Sequence, residues 1–267
     1  MRLLTLTLLV LGALILLILL LPATFLQATG SVLPDETRMT TGGLLAGVAQ
    51  GTGRPATASE VYDYLIRIHP ESSDLYRLKS EALREAGDTT GALKALDAAL
   101  ARDPDNVSLM EKKARLLIRT GKTPEAADVF ATILSSPPTG PEDHLIIADV
   151  ALEKNRYVEA LDRYAAILEM QPDNGRVWEK HADVIFALLT IPTAGSGASE
   201  DLLSKDLYAD GMAGYHRALT LSPDRRDTIQ AKINRRSAEY VARSVQELED
   251  RYSRYRYLKP GEEPFSS

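Results

Sequence analysis

Four histidines are the only side chains in this chain suited to acid–base work near neutral pH, and they stand at 69, 144, 181 and 216. None forms an HExxH or HxxxH pair, so no helix face aims two imidazoles at one metal ion. His181 stands beside the small Ala182, where a packed structural role is expected. The chain has no cysteine, which removes disulfides, thiolate metal sites and a cysteine nucleophile together. Gly42 to Gly53 is rich in glycine, yet no GK[ST] follows and no strand precedes it, so it lacks the parts of a phosphate loop. Asn106-Val107-Ser108 is a glycosylation sequon. The residue types therefore assemble no catalytic set, and no enzyme activity, cofactor or metal site is expected.

The elements that would position any binding groups are set by a period. Pro70, Pro104, Pro138 and Pro172 recur every 34 residues, as do Ala58, Ala92, Ala126 and Ala160. Twelve positions before each alanine stands another small residue: Ala46, Ser80, Ala114 and Ala148, with Ala182 continuing the series. Small and proline residues in constant phase mark a stacked helical repeat. In the block Ser73 to Asn106, Leu75, Tyr76, Ser80 and Leu83 form the stripe of a first helix, and Gly87-Asp88 ends it. Ala92, Leu93, Leu96 and Ala99 form a second helix, which Pro104 stops. Blocks from Val107 and Pro141 repeat the scheme through Gly121, Ala126, Phe130 and then Asn155, Ala160, Tyr164. A block from Met39 fits through Ala46, Gly53, Ala58 and Tyr62. Its four glycines (Gly42, Gly43, Gly47, Gly51) predict a short or frayed first helix.

The block from Gly175 is interrupted. Pro172 and Pro223 stand 51 residues apart, and the excess falls at about 190–206, read as a loop in which Ser199-Glu200-Asp201 caps an extra turn. Beyond Pro223, Ile229, Ile233, Tyr240, Val241, Val245, Leu248, Tyr252 and Tyr255 recur at helical spacing, predicting a long helix over 225–259 that covers the last repeat. Residues 260–267 read as a disordered tail.

These residues resemble the tetratricopeptide repeat (TPR), whose 34-residue units share this phase of small, large and proline positions. The family's tryptophan-like position holds Tyr76, Met110, His144 and Trp178, a loose match. The resemblance implies an all-α, right-handed superhelical solenoid over 39–224. It would have five units, the first weak and the last carrying the insertion. It also implies a protein or peptide partner held on the concave face by the first helix of each unit. The matching positions give a candidate groove of Arg77, Glu81, Arg84 and Arg115, passing to Asp149, Asp183 and Phe186, with Glu111, Ile118 and Glu179 among the others. Arginines at one end and acids at the other would suit a segment of opposite polarity. Where the family's carboxylate-clamp subtype carries lysine and asparagine, this chain has Arg77 and Glu81, Glu111 and Arg115, then Leu145 and Asp149, so a chaperone-tail clamp is not expected.

The N-terminus sets the location. Leu3 to Leu21 is uncharged and almost wholly apolar, and nineteen helical residues rise about 28 Å, close to the hydrocarbon thickness of a bilayer. A transmembrane signal-anchor over 1–25 is expected. With Arg2 before it, Met1 would be cytoplasmic and the repeats extracytoplasmic. The alternative is secretion after cleavage at Ala28-Thr29-Gly30. Residues 26–38 read as a flexible linker. The net charge of −6 argues against nucleic acid. Self-association through the C-terminal helix and service as an accessory subunit of an envelope assembly or enzyme complex are the other roles these features allow.

Overall fold

The computed structural model describes residues 22–29, 34–190 and 199–256, with side chains from 22 to 250 apart from 199–205. The apolar segment 3–21 and the tail 260–267 lie outside the described residues, and among those described no helix is long and apolar enough to cross a membrane. Every described element is helical: α1 (Pro22–Thr29), α2 (Asp35–Gly51), α3 (Pro55–Ile68), α4 (Ser73–Glu85), α5 (Thr89–Leu100), α6 (Val107–Arg119), α7 (Thr123–Ser135), α8 (Pro141–Glu153), α9 (Tyr157–Met170), α10 (Gly175–Leu188) and α11 (Ser199–Leu221). A 3₁₀ turn at Pro223–Arg225 then leads into α12 (Arg226–Arg256).

One turn is copied at the first four first-to-second helix junctions. Gly53, Gly87 and Gly121 have φ of 73°, 86° and 76°, and Asn155 takes the same place at 59°. The amide after each reaches back across the helix end, Arg54 to Ala49, Asp88 to Leu83, Lys122 to Leu117 and Arg156 to Ala151. This closes the last carbonyls while the left-handed residue reverses the chain, a place glycine or asparagine takes with least strain. Asp88, Asn106 and Asn174 cap the next helices by accepting from the amides of Gly91, Leu109 and Val177.

The phased residues form the core. Ala46, Ala114, Ala148 and Ala182 are wholly buried, as are Ala58, Ala92 and Ala160, and the large positions Tyr62, Leu96, Phe130, Tyr164 and Tyr215 lie beneath them. Small residues let the two helices of a pair close on each other, and the large residue fills the groove they leave.

The chain divides into two compact units, residues 1–138 and 139–267. In the first, α2 runs unbroken for 17 residues despite its glycines. Gly42 lies directly beneath Leu65, with a β-carbon position 2.7 Å from Leu65 Cδ2, so close packing on α3 offsets the glycine penalty. Within the expected linker, residues 30–33 lie outside the described residues; on either side, α1 packs on α2 and α3 through the wholly buried Leu26, and α2 begins at Asp35.

In the second unit, α11 begins at Ser199, where an extra turn was expected, and runs on unbroken for 23 residues, while 191–198 lie outside the described residues. Helix α12 packs through Ile229 and Ile233, and Tyr240 stacks on Tyr208 at 4.2 Å. Val241, Val245 and Leu248, expected in the same stripe, are exposed. They lie roughly 100° around the helix from the packed side, because each residue adds about that rotation.

Candidate partner-binding surface

The first helices of the repeats carry the proposed groove residues, and the two units treat them differently. In the first unit, Arg77 on α4 bonds Asp74 at 3.0 Å and Glu81 at 3.3 Å on its own helix. Glu81 receives Lys112 of α6 at 3.1 Å, so the ninth position of one repeat is tied to the sixth of the next. Arg84 meets its neighbour Glu85 only at 3.5 Å, and Arg115 bonds Glu111 at 2.7 Å. Arg84, Arg115 and Ile118 are exposed, the last to 47%. This face presents cations beside an apolar side chain.

In the second unit the acidic positions are half-buried and bonded to neighbouring helices. Asp149 on α8 accepts from the hydroxyl of Tyr164 on α9 and receives Lys180 of α10 at 2.6 and 2.7 Å. Asp183 on α10 repeats this with Tyr215 of α11 at 2.6 Å and Lys232 of α12 at 2.6 Å. Burial first, then the accepting carboxylate, pushes both tyrosine hydroxyls well above their ordinary range. These aspartates join a helix pair to the helix that follows. Both carboxylates keep an open side, 33% and 38% of the side chain, while they bond the following helices.

The expectation of a groove position is corrected for Phe186, which is 3% exposed. Its ring stacks on Tyr215 at 5.4 Å, meets Tyr208 edge-on at 5.7 Å, and lies under the guanidinium of Arg236 at 5.0 Å. Gly211 passes so close that a β-carbon there would lie 2.7 Å from Phe186 Cε2. The twelfth position of this block belongs to the core that α12 closes.

Glu179 is the residue that sequence reasoning misjudged furthest. It is 4% exposed and is held by Arg225 through two bonds, 2.7 and 3.0 Å, and by Lys232 at 2.7 Å. Burial alone would raise its carboxyl, but the Arg225 and Lys232 bonds outweigh it and hold it below the usual range. Lys232 therefore bridges Glu179 and Asp183 and fixes α12 to α10. Lysines at the sixth position, 112 and 180, were the signal for this ladder.

The remaining candidates have structural settings. Nδ1 of His181 and of His144 is buried without a partner, and burial lowers the basicity of both. The amide of Asn106 is committed at both ends, accepting from Leu109 and donating to Asp103 at 2.7 Å, which opposes its use as a glycan acceptor. Among the described residues no cluster of three His, Asp or Glu could hold a metal ion.

Comparison with known proteins adds relatives to this geometry. A tetratricopeptide repeat profile matches residues 44–107, 78–143 and 111–175. Over 129 residues, 48% of this chain, the sequence is 30% identical to cellulose synthase operon protein C of Pseudomonas fluorescens, of which it covers 10%. Over 94 residues, 35% of this chain, it is 28% identical to a BBSome complex member of Caenorhabditis elegans, of which it covers 20%. The chain thus spans a tenth to a fifth of these curated relatives. Among solved structures, the C-terminal part of a TPR repeat-containing protein from Cytophaga hutchinsonii superposes with a TM-score of 0.56 at 12% identity, covering 86% of this chain and 85% of that one. That likeness speaks for the helical fold alone.

Proposed function

Residues 44–175 are tetratricopeptide repeats, and from that premise we propose that this protein is a membrane-anchored, extracytoplasmic scaffold that binds another protein and performs no chemistry. Repeats of this kind present faces for recognition rather than reaction, and the matching profile is of this kind. The observation that carries the reading is the first-helix face of the first unit, where Arg84, Arg115 and Ile118 are exposed side by side in the repeat scheme. Its chemistry fits an extended or helical segment bearing carboxylates and one apolar anchor. One relative is by name a member of a multiprotein complex, which agrees with a scaffold role. The apolar run 3–21 supports the anchor, with Met1 cytoplasmic and the repeats outside.

Cross-linking capture with the full-length protein in its native membrane tests this, beside an Arg84→Glu/Arg115→Glu variant. A partner held by the wild type and lost from the variant supports the face. Capture that survives the reversal refutes it. Arg77 is left out of the variant because it is the least exposed of these arginines and is shared between Asp74 and Glu81.

A second reading rests on α12, whose exposed Val241, Val245 and Leu248 recur at spacings of four and three, the seam of a helix that pairs with another. Self-association through this seam would make the chain a structural oligomer. Sedimentation of the full-length protein in detergent distinguishes the two, a monomer at tens of micromolar excluding the oligomer.

A further inference from the structure

The two ends of the repeat series are finished differently. At the C-terminal end, α12 lies over α10 and α11 and closes their apolar surface. At the N-terminal end α1 packs on α2 and α3, but among the described residues nothing covers the α2 face that bears Leu44 and Val48. The tenth position of each later first helix is buried: Ala82, Leu116, Val150 and Val184 are at most 3% exposed. In α2 the same position is Val48, 45% exposed, and one turn before it Leu44 is 67% exposed. Gly43 and Gly47 stand beside them with nothing before their α-carbons. From Met39 to Gly53 no residue is charged. A terminal repeat that faces water needs a polar outer surface, and this one has an apolar, uncharged surface instead.

The chain before this edge identifies the cover. Leu26 of α1 is buried against α2 and α3, so the last residue of the apolar run, Leu21, is joined to this edge with no spacer. From Pro22, the first residue after the run and the first of α1, to Leu26 the helix rises only roughly 6 Å. A run such as 3–21 that is apolar on every side is not satisfied by one face of α2, which would leave its far side in water. A bilayer satisfies it on all sides, and the edge that adjoins its end then meets the same lipid.

We propose that the α2 face bearing Leu44 and Val48 is a membrane seat, resting in the lipid headgroup region and fixing the first repeat directly on the bilayer. The proposal rests on the anchor reading above. The uncharged stretch makes entry feasible, since no ion must be stripped of water. Held this way, the repeats are oriented by the membrane rather than swinging on a stalk.

The absence of cysteine makes the test direct, because one introduced thiol is the only dye site. Full-length variants Ile15→Cys, Leu44→Cys, Val48→Cys and Ile118→Cys, each carrying an environment-sensitive dye, are placed in phosphatidylcholine/phosphatidylglycerol vesicles. Quenching by a doxyl group near the lipid headgroup or along its chain is compared with quenching by aqueous iodide. The seat requires lipid quenching and a blue-shifted emission at 44 and 48, with iodide quenching at 118. Lipid quenching at 15 with iodide quenching at 44 and 48 overturns the seat and leaves the anchor standing. Loss of lipid quenching at 15 overturns the anchor and the seat with it. Shielding of 44 and 48 from both quenchers shows a protein cover, a second copy or a partner, and overturns the lipid assignment.

Discussion

The hydroxyl of Tyr215 donates a 2.6 Å hydrogen bond to Oδ1 of Asp183, joining the large position of α11 to the ninth position of α10. Tyr164 and Asp149 make the same pair on α9 and α8. A buried hydroxyl must find an acceptor, and a carboxylate strengthens that bond. Removing the hydroxyl with Tyr215→Phe should cost about 1 kcal/mol. Asp183→Ala should cost more, about 1–3 kcal/mol, because it leaves the Tyr215 hydroxyl without its acceptor and Lys232 with Glu179 alone. Denaturant unfolding followed by helix signal checks both. Equal stability of Tyr215→Phe and wild type would show that the pair is incidental. Partner capture should be unchanged in Tyr215→Phe, because this pair lies within the fold.

Lys232 fixes the C-terminal helix by bridging Glu179 and Asp183. Lys232→Met should destabilise α12 by about 2 kcal/mol, below the usual cost of breaking a buried pair, because Arg225 still holds Glu179 and the site is partly exposed. Amide exchange in α12 should quicken while α2 to α6 keep their protection. Glu179 also sets an acid limit. Its carboxyl is held below the ordinary value, so the stability it contributes is complete above about pH 4.5 and is lost as pH falls through the lower folded value. Glu179→Gln should flatten that part of the acid unfolding curve.

The repeat itself was legible because its constraints are local and recur. Gly87 must turn the chain, Ala92 must be small, and Pro104 must stop a helix, and each does so at the same phase elsewhere. The candidate groove was only half legible. Arg84 and Arg115 are exposed, Asp149 and Asp183 are half-buried and bonded to the following helices, and Phe186 is buried in the core. Lys232 is 49 residues from Asp183, across an insertion that breaks the phase, so no local pattern tied them. Likewise Gly42 in isolation argues against a helix, and only Leu65, brought by the next helix, explains it.

His181 gives a pH response near neutrality. Burial disfavours its charged form, and the Asp210 carboxylate only partly opposes this. With its folded value below the unfolded value of about 6.5, the unfolded chain binds the proton first. Stability should therefore be full above that pH and fall as the solution is acidified below it, and His144 acts in the same direction. The unfolding midpoint should drop between about pH 7 and 5.5, well above the Glu179 range. His181→Gln should reduce this drop, and an unchanged slope would mean that His181 is open to water when protonated.

The eighth position of the first helix explains why the series ends where it does. It is alanine or serine wherever a second helix closes on it, as at Ala182, where the β-carbon position of Gly214 is 3.1 Å away. In α12 the corresponding residue is Ile233, buried against the last pair, and no second helix follows it among the described residues. The two sites should respond oppositely to volume. Ala182→Ile inserts methylenes into a closed contact and should cost about 1–3 kcal/mol. Ile233→Ala removes methylenes from a filled one and should cost about 2–5 kcal/mol. Both are read from urea unfolding, with amide exchange in α10 to α12 locating the loss. Tolerance of Ala182→Ile would mean that the small residue is not what lets α11 approach. Tolerance of Ile233→Ala would mean that α12 is held by its Lys232 bridge rather than by packing.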